Sequence, residues 1–288
     1  MDNLAYDLRG LCQRNKDGSY ATQSERLAML TLVSKQLKSG GFRNMRSASL
    51  KEKHITYLVK LWQTQELSAG TIKNRMSHLR WWAEKVGKVG VIPKDNIQLG
   101  IENRQYVTDI NKAQHLAEHQ LAQITDPYVR MSLMLQQEFG LRREEAIKFQ
   151  PAYADKGDHI QLKGSWTKGG RERTIPILTA EQRKVLDEAR SLVHKGSLIP
   201  ADKSYIQQRN TYDGQCQKVG LNKMHGLRHA YAQARYEVLT GWKSPKEGGL
   251  MRKELTPEQR TKDVFARQTI SRELGHERIE VVGVYLGR

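Results

Sequence analysis

Two residues three positions apart, His225 and Arg228 in the run Met224-His225-Gly226-Leu227-Arg228-His229, are of types and spacing suited to chemistry. If the run opens a helix, that spacing sets both side chains on one face, about one turn apart. Arginine offers a planar fork of donors and histidine trades a proton near neutral pH, so the pair suits an anionic oxygen. A second pattern, His115-Leu116-Ala117-Glu118-His119, has the His-x-x-Glu-His form of one class of zinc peptidase. Zinc catalysis needs a third ligand, and nothing downstream presents one plainly, so this pattern reads as a chance match on a helix.

Further boxes flank the central motif. Upstream stands Gly140-Leu141-Arg142-Arg143-Glu144-Glu145, and between lies Thr167-Lys168-Gly169-Gly170-Arg171-Glu172-Arg173-Thr174-Ile175-Pro176. Downstream come Leu274-Gly275-His276 and, nine residues on, Tyr285. In that order, across residues 110–288, these boxes resemble the tyrosine recombinases, the phage-integrase family. The resemblance implies a site-specific recombinase that cuts and rejoins DNA through a covalent 3′-phosphotyrosine, which conserves the energy of the phosphodiester. It implies Tyr285 as nucleophile, Arg142 and Arg228 as a clamp on the non-bridging oxygens, and Lys168 as general acid. His225 is then acid/base support, His276 a hydrogen-bond partner of the phosphate, and Glu145 the residue that orients Arg142. No metal and no other cofactor is implied, because the guanidinium pair takes the role that a metal plays elsewhere.

The same resemblance implies double-stranded DNA at specific recombination sites as partner, other protomers in a tetrameric synapse, and an optional accessory DNA-bending protein. Integration or excision of a mobile element is the expected role. Type IB topoisomerase-like relaxation, with the same cleavage chemistry, and a catalytically inactive DNA-binding protein of the same fold are the alternatives. All six catalytic positions are filled, which argues against the inactive reading. Only Leu286, Gly287 and Arg288 follow Tyr285, so a monomer that assembles on DNA is expected, with contacts between protomers made elsewhere.

The elements that must position these residues are mainly helical, with a small antiparallel sheet (α+β). Residues 1–105 read as a helical core-binding domain and 110–288 as the catalytic domain. In the first, amphipathic segments run over 5–13 and 23–37; Ser49 caps a third and Ser68 a fourth. In the fourth, Ile72, Met76, Leu79, Ala83 and Val86 form the apolar face, and Lys73, Arg75, Arg80 and Lys85 stand opposite as candidates for DNA phosphates. The run Ser68-Ala69-Gly70-Thr71-Ile72-Lys73-Asn74-Arg75 also looks like the core-binding domain of integrases. Residues 93–109, with few apolar residues in register, read as a linker.

In the second domain, a buried helix over 128–139 ends at Gly140, and Arg142 starts the next. Two short strands, 159–163 and 173–177, are joined by a turn at Lys168-Gly169-Gly170, which sets Lys168 at a hairpin tip. A helix over 179–193 precedes the central motif. Residues 240–263 read as a polar surface insertion and the candidate contact between protomers. Thr256-Pro257 then opens a helix that runs to Leu274.

Charge points the same way. The formal net charge is +17, and the Lys+Arg excess is shared: 18 against 9 acidic residues over 1–105, 30 against 22 over 106–288. A basic tail would load one end; this distribution suits a protein that meets a polyanion with both domains. With 38% hydrophobic and 27% charged residues the chain reads as globular. Cys12 and Cys216 lack metal spacing, and no apolar run is long enough for a membrane span, so a reduced, cytoplasmic setting with access to chromosomal or mobile-element DNA is expected.

Overall fold

The computed structural model describes residues 2–288. The chain divides into two compact units, Met1–Gln105 and Tyr106–Arg288. Helix accounts for 62% of the protein, and among the described residues the one sheet has two strands, so the fold is mainly α.

Four helices build the first unit: α1 (Asn3–Arg14), α2 (Tyr20–Ser39), α3 (Glu52–Thr64) and α4 (Ala69–Lys85). Short polar caps start three of them, Asp2, Ser19 and Ser68, each accepting from a backbone N–H in the first turn. The third differs from the sequence expectation. Ser49 closes a single 3-10 turn, and α3 starts after Lys51, whose backbone N–H is taken by His54 Nδ1 at 2.8 Å. Leu30, Leu58 and Leu79 are fully buried in the shared core, each contributing about 1.5–3 kcal/mol of apolar burial. Residues 93–105 belong to this unit rather than forming a free linker. Ile92 and Ile101 enter its core, and Arg80 donates to the carbonyl of Pro93 and to Asn96 Oδ1.

The second unit opens with α5 (Glu118–Gln123), α6 (Pro127–Phe139), α7 (Arg143–Ile147) and α8 (Pro151–Ala154). Asp126 caps α6 ahead of Pro127, and Gly140 ends it in the left-handed region at φ 59°. A Cβ at Gly140 would lie 2.5 Å from the Tyr231 ring, so both the turn and the close approach require glycine. Strand β1 (His159–Leu162) pairs antiparallel with β2 (Arg173–Pro176), Leu162 opposite Arg173. Their connection is a long loop, 163–172, anchored by buried Trp166; Lys168 lies exposed within it rather than at a tight tip.

Next come α9 (Ala180–Val193), α10 (Tyr205–Lys218), α11 (His225–Thr240), α12 (Pro257–Glu273) and α13 (Gly283–Leu286). The sequence patterns do not predict α10. Its buried stripe is Gln208, Tyr212 and Cys216, thin and one-third polar, so periodicity does not reveal it. Helix α11 is central, packing against α6, α12 and α13.

The stretch 240–263 is not a loose insertion. Ser244 is fully buried, a 3-10 turn over Pro245–Glu247 packs against α13, and Lys246 Nζ donates to the Ile110 carbonyl at 3.1 Å. Only its middle stands out, with Leu250 and Met251 half exposed. No helix among the described residues is long and apolar enough to cross a membrane.

Candidate active site

His225 is the first residue of α11, so His225 and Arg228 share the face one turn apart that the spacing implies. That face points at α13. The Tyr285 hydroxyl lies 3.3 Å from Arg228 Nε, 3.2 Å from His276 Nε2 and 3.5 Å from His225 Nε2. Three boxes separated by up to 60 residues thus converge on one oxygen. Tyr285 itself is 4% exposed, and Gln233 Nε2 fixes its backbone carbonyl at 3.0 Å.

Arg228 is wholly buried. Its Nη1 donates to the Gly140 carbonyl at 2.6 Å and its Nη2 to the Leu274 carbonyl, so the turns ending α6 and α12 aim its fork. Burial lowers the guanidinium to about 10, which leaves it charged at neutral pH. Arg142 stands ahead of α7 with its side chain 21% exposed and donates to Glu145 Oε1 at 2.8 Å and to the Leu274 carbonyl at 3.4 Å. Its backbone N–H donates to Glu145 Oε2 at 2.7 Å, which satisfies a free donor at the helix start. Glu145 is fully buried. Burial alone would raise its carboxyl; the hydrogen bonds and charge of Arg173, with the charges of Arg228 and Arg142, hold it at about 2.

The histidines are neutral at physiological pH. His276 is pushed down to about 3 by burial and then by Arg228, Arg142 and Arg173. His225 is lowered by desolvation and then by Arg228 and Arg142, although the residue as a whole keeps solvent exposure. A cluster of neutral imidazoles and fixed guanidiniums around a phenol suits an anion that develops negative charge: the cations stabilise it and an imidazole accepts the phenolic proton.

Of the sequence-derived residues, Arg142, Glu145, His225, Arg228, His276 and Tyr285 are brought together. Lys168 is not; it is exposed in its loop and makes no hydrogen bond or ion pair among the described residues. Two further residues, which the sequence patterns do not mark, complete the cluster. His229, one turn after His225, lies with its ring 4.6 Å from that of Tyr285, and its i,i+4 relation to His225 was the available signal. Arg173 is buried on the same strand face as Ile175, a cation at an inward position of a strand.

In the first unit, the four cations of α4 are only partly exposed. Lys73 donates to Asn103 Oδ1 at 3.2 Å, and Arg75 lies over the Trp62 ring at 5.1 Å. Arg80 holds 93–96, and Lys85 pairs with Asp17 at 2.9 Å.

The comparisons with known proteins bear on the family and the fold. A family model described as phage integrase, N-terminal matches residues 1–92, and one described as integrase matches 103–234. The second takes in Arg142, Lys168, His225 and Arg228 and stops short of His276 and Tyr285. No curated protein sequence matches the chain. Among solved structures, a lambda integrase dimer bound to a COC′ core site is similar at TM-score 0.63 and 13% identity, covering 96% of this chain and 92% of that one. The Tn1549 transposon integrase in complex with circular intermediate DNA is similar at TM-score 0.57 and 12% identity, covering 100% and 96%. XerH site-specific recombinase bound to its difH substrate follows at TM-score 0.56 and 15% identity, covering 98% and 80%. At such identities the structural likeness carries the fold, and the two family models carry the descent: the chain belongs to the phage integrase family, the tyrosine recombinases.

Proposed function

We propose that this protein is a site-specific DNA recombinase that cuts and rejoins strands through a covalent 3′-phosphotyrosine at Tyr285. The observation that carries the proposal is the hydroxyl of Tyr285 within 3.5 Å of Arg228, His276 and His225. In the cutting step the Tyr285 oxygen attacks the scissile phosphorus, its proton passes to the neutral His225, and the P–O5′ bond breaks. Arg142 and Arg228 hold the non-bridging oxygens while charge builds, and His276 donates a hydrogen bond to one of them. Lys168 gives its proton to the leaving 5′ oxygen, for which its exposed loop must close over the bound duplex. Attack of another 5′ hydroxyl on the phosphotyrosine reverses the sequence and completes strand exchange.

The solved relatives are described bound to DNA, and by likeness to them the partners are specific DNA sites and further copies of this chain. Integration or excision of a mobile element is the role proposed, the first unit serves as a DNA-binding domain, and the setting is the compartment that holds that DNA. A nicked duplex that traps the cleaved state tests the chemistry. The wild-type protein is expected to accumulate an SDS-resistant adduct, and Tyr285→Phe to form none while its affinity for the duplex changes less than about threefold. Adducts persisting in Tyr285→Phe would place the nucleophile elsewhere and overturn the proposal.

A further inference from the structure

Arg173 is the buried arginine of the cluster with no part in the chemistry above. It is the first residue of β2, and its side chain is 6% exposed. Its Nη1 and Nη2 donate to the two Glu145 oxygens at 2.8 and 2.6 Å. Its Nε donates at 2.8 Å to the carbonyl of Glu273, the residue before Leu274-Gly275-His276. Gly275, at φ 66°, lies against the same side chain, where a Cβ would meet Arg173 Cδ at 2.9 Å. Every nitrogen of the guanidinium is thus engaged, and three segments meet on it: the start of α7, the end of α12 and the hairpin.

Those segments are the ones that carry the site. Glu145 holds Arg142 through both side chain and backbone, and the Leu274 carbonyl accepts from Arg142 and Arg228. Upstream on the same loop, Arg171 pairs with Glu277, just past His276, which ties the Lys168 loop to that turn a second time. We infer that Arg173 is a positioning residue for strand cleavage: its three-way fork fixes the separation of Glu145 from the Glu273–His276 turn. In doing so it sets Arg142 and His276 against Tyr285 and roots the loop that carries Lys168. This rests on the reading of the site as one that cleaves DNA.

Charge and geometry are separable here. A lysine at this position keeps the positive charge but reaches only one acceptor, whereas the arginine spans a carboxylate and a carbonyl at once. A merely stabilising buried pair tolerates replacement of both partners by apolar residues, whereas removal of one partner leaves an unpaired charge and destabilises, so stability has to be read beside the rate. The charged or titratable groups facing Glu145 are Arg142 beside it, Arg173 from β2, and Arg228 and His225 from α11. Across the site His276 faces the same arginines. Removing the Arg173 charge takes away the hydrogen bonds and the largest charge that lower Glu145 and leaves Arg228 and Arg142 alone against burial, so the carboxyl rises and its protonation weakens the hold on Arg142.

The test is adduct formation on the nicked duplex between pH 6 and 9, with melting temperature measured alongside. Arg173→Gln is expected to slow cleavage on the order of 10²-fold, the size of effect from an ångström-scale misplacement, and to slow further as pH falls toward 6. Arg173→Lys is expected to restore the wild-type pH profile without restoring the rate, and it carries the test alone if Arg173→Gln fails to fold. Full rate in Arg173→Lys would overturn the inference, as would a loss that disappears when each variant is assayed equally far below its melting temperature. Imidazole resonances of His276 provide an arm independent of cleavage: they are expected to shift in Arg173→Lys, and unmoved resonances overturn the inference. A wild-type protein that forms no adduct sinks the cleavage reading instead, and the His276 arm still decides whether Arg173 positions the turn.

Discussion

At the scale of single residues, the site depends on one guanidinium being a fork. Arg228 sends Nη1 to the end of α6, Nη2 to the end of α12 and Nε to the Tyr285 hydroxyl, three directions that a lysine cannot serve together. Arg228→Lys is therefore expected to lower cleavage by on the order of 10²–10³-fold, as for loss of a donor to developing charge, with duplex binding little changed; quench-flow on the nicked substrate reads it. The buried imidazoles give a second expectation. His229 and His276 are lowered to about 4 and about 3, so the unfolded chain takes up protons below its ordinary histidine pKa of about 6.5 while the folded chain does not. Their stabilising contribution is complete above that pKa and is lost as pH falls toward 4. Each group costs at most about 1.4 kcal/mol per pH unit, discounted for partial exposure of His276. Melting temperature should fall between pH 7 and 5, and a constant value would count against neutral burial.

At the scale of elements, α13, which carries Tyr285, is held from three sides. Gln233 binds the Tyr285 carbonyl, Arg267 Nη1 binds the Gly287 carbonyl at 2.9 Å, and Pro245 lies where a Cβ on Gly287 would come within 2.9 Å. This decides what a deletion in 240–263 should do. Removing 243–249 uncovers α13 and is expected to slow single-site cleavage more than tenfold, as a displaced nucleophile would. Replacing the half-exposed 250–254 with a short polar turn is expected to leave single-site cleavage intact. Equal cleavage by both variants would mean that the packed turn does nothing for Tyr285.

At the scale of the whole molecule, both units are net positive, +9 for residues 1–105 and +8 for 106–288. If both meet the duplex, affinity should fall steeply with salt, with a slope that implies on the order of ten phosphate contacts. Expressed apart at the 105/106 boundary, each unit should bind far more weakly than the full chain, because linkage raises the effective concentration of the second contact. Titrations of the full chain and of residues 106–288 at several salt concentrations decide it. Equal affinity and slope would leave the first unit without a DNA contact.

Local order was legible in the sequence because it is written in local chemistry. The His225/Arg228 spacing, the left-handed stops at Gly140 and Gly275 and the caps Ser68 and Thr256 act over one or two turns, and each stands where the residue types place it. The order of the boxes likewise carried the family. What lay beyond reach depends on partners distant in the chain. The cap expected at Ser49 went to the turn after it, and residues 93–105 read as a linker because the few apolar side chains that anchor them have no period. Helix α10 hides its contacts in polar residues, and the polar 243–249 turn reads as solvent-facing until α13 is found beneath it. Arg173 looks like any basic residue of a hairpin; only the fold brings Glu145, 28 residues earlier, and the Glu273 carbonyl, 100 residues later, within 3 Å of its fork. Spacing along a chain fixes which side chains share a face, but tertiary packing decides which faces meet, and a buried cation takes its role from the acceptors it meets there.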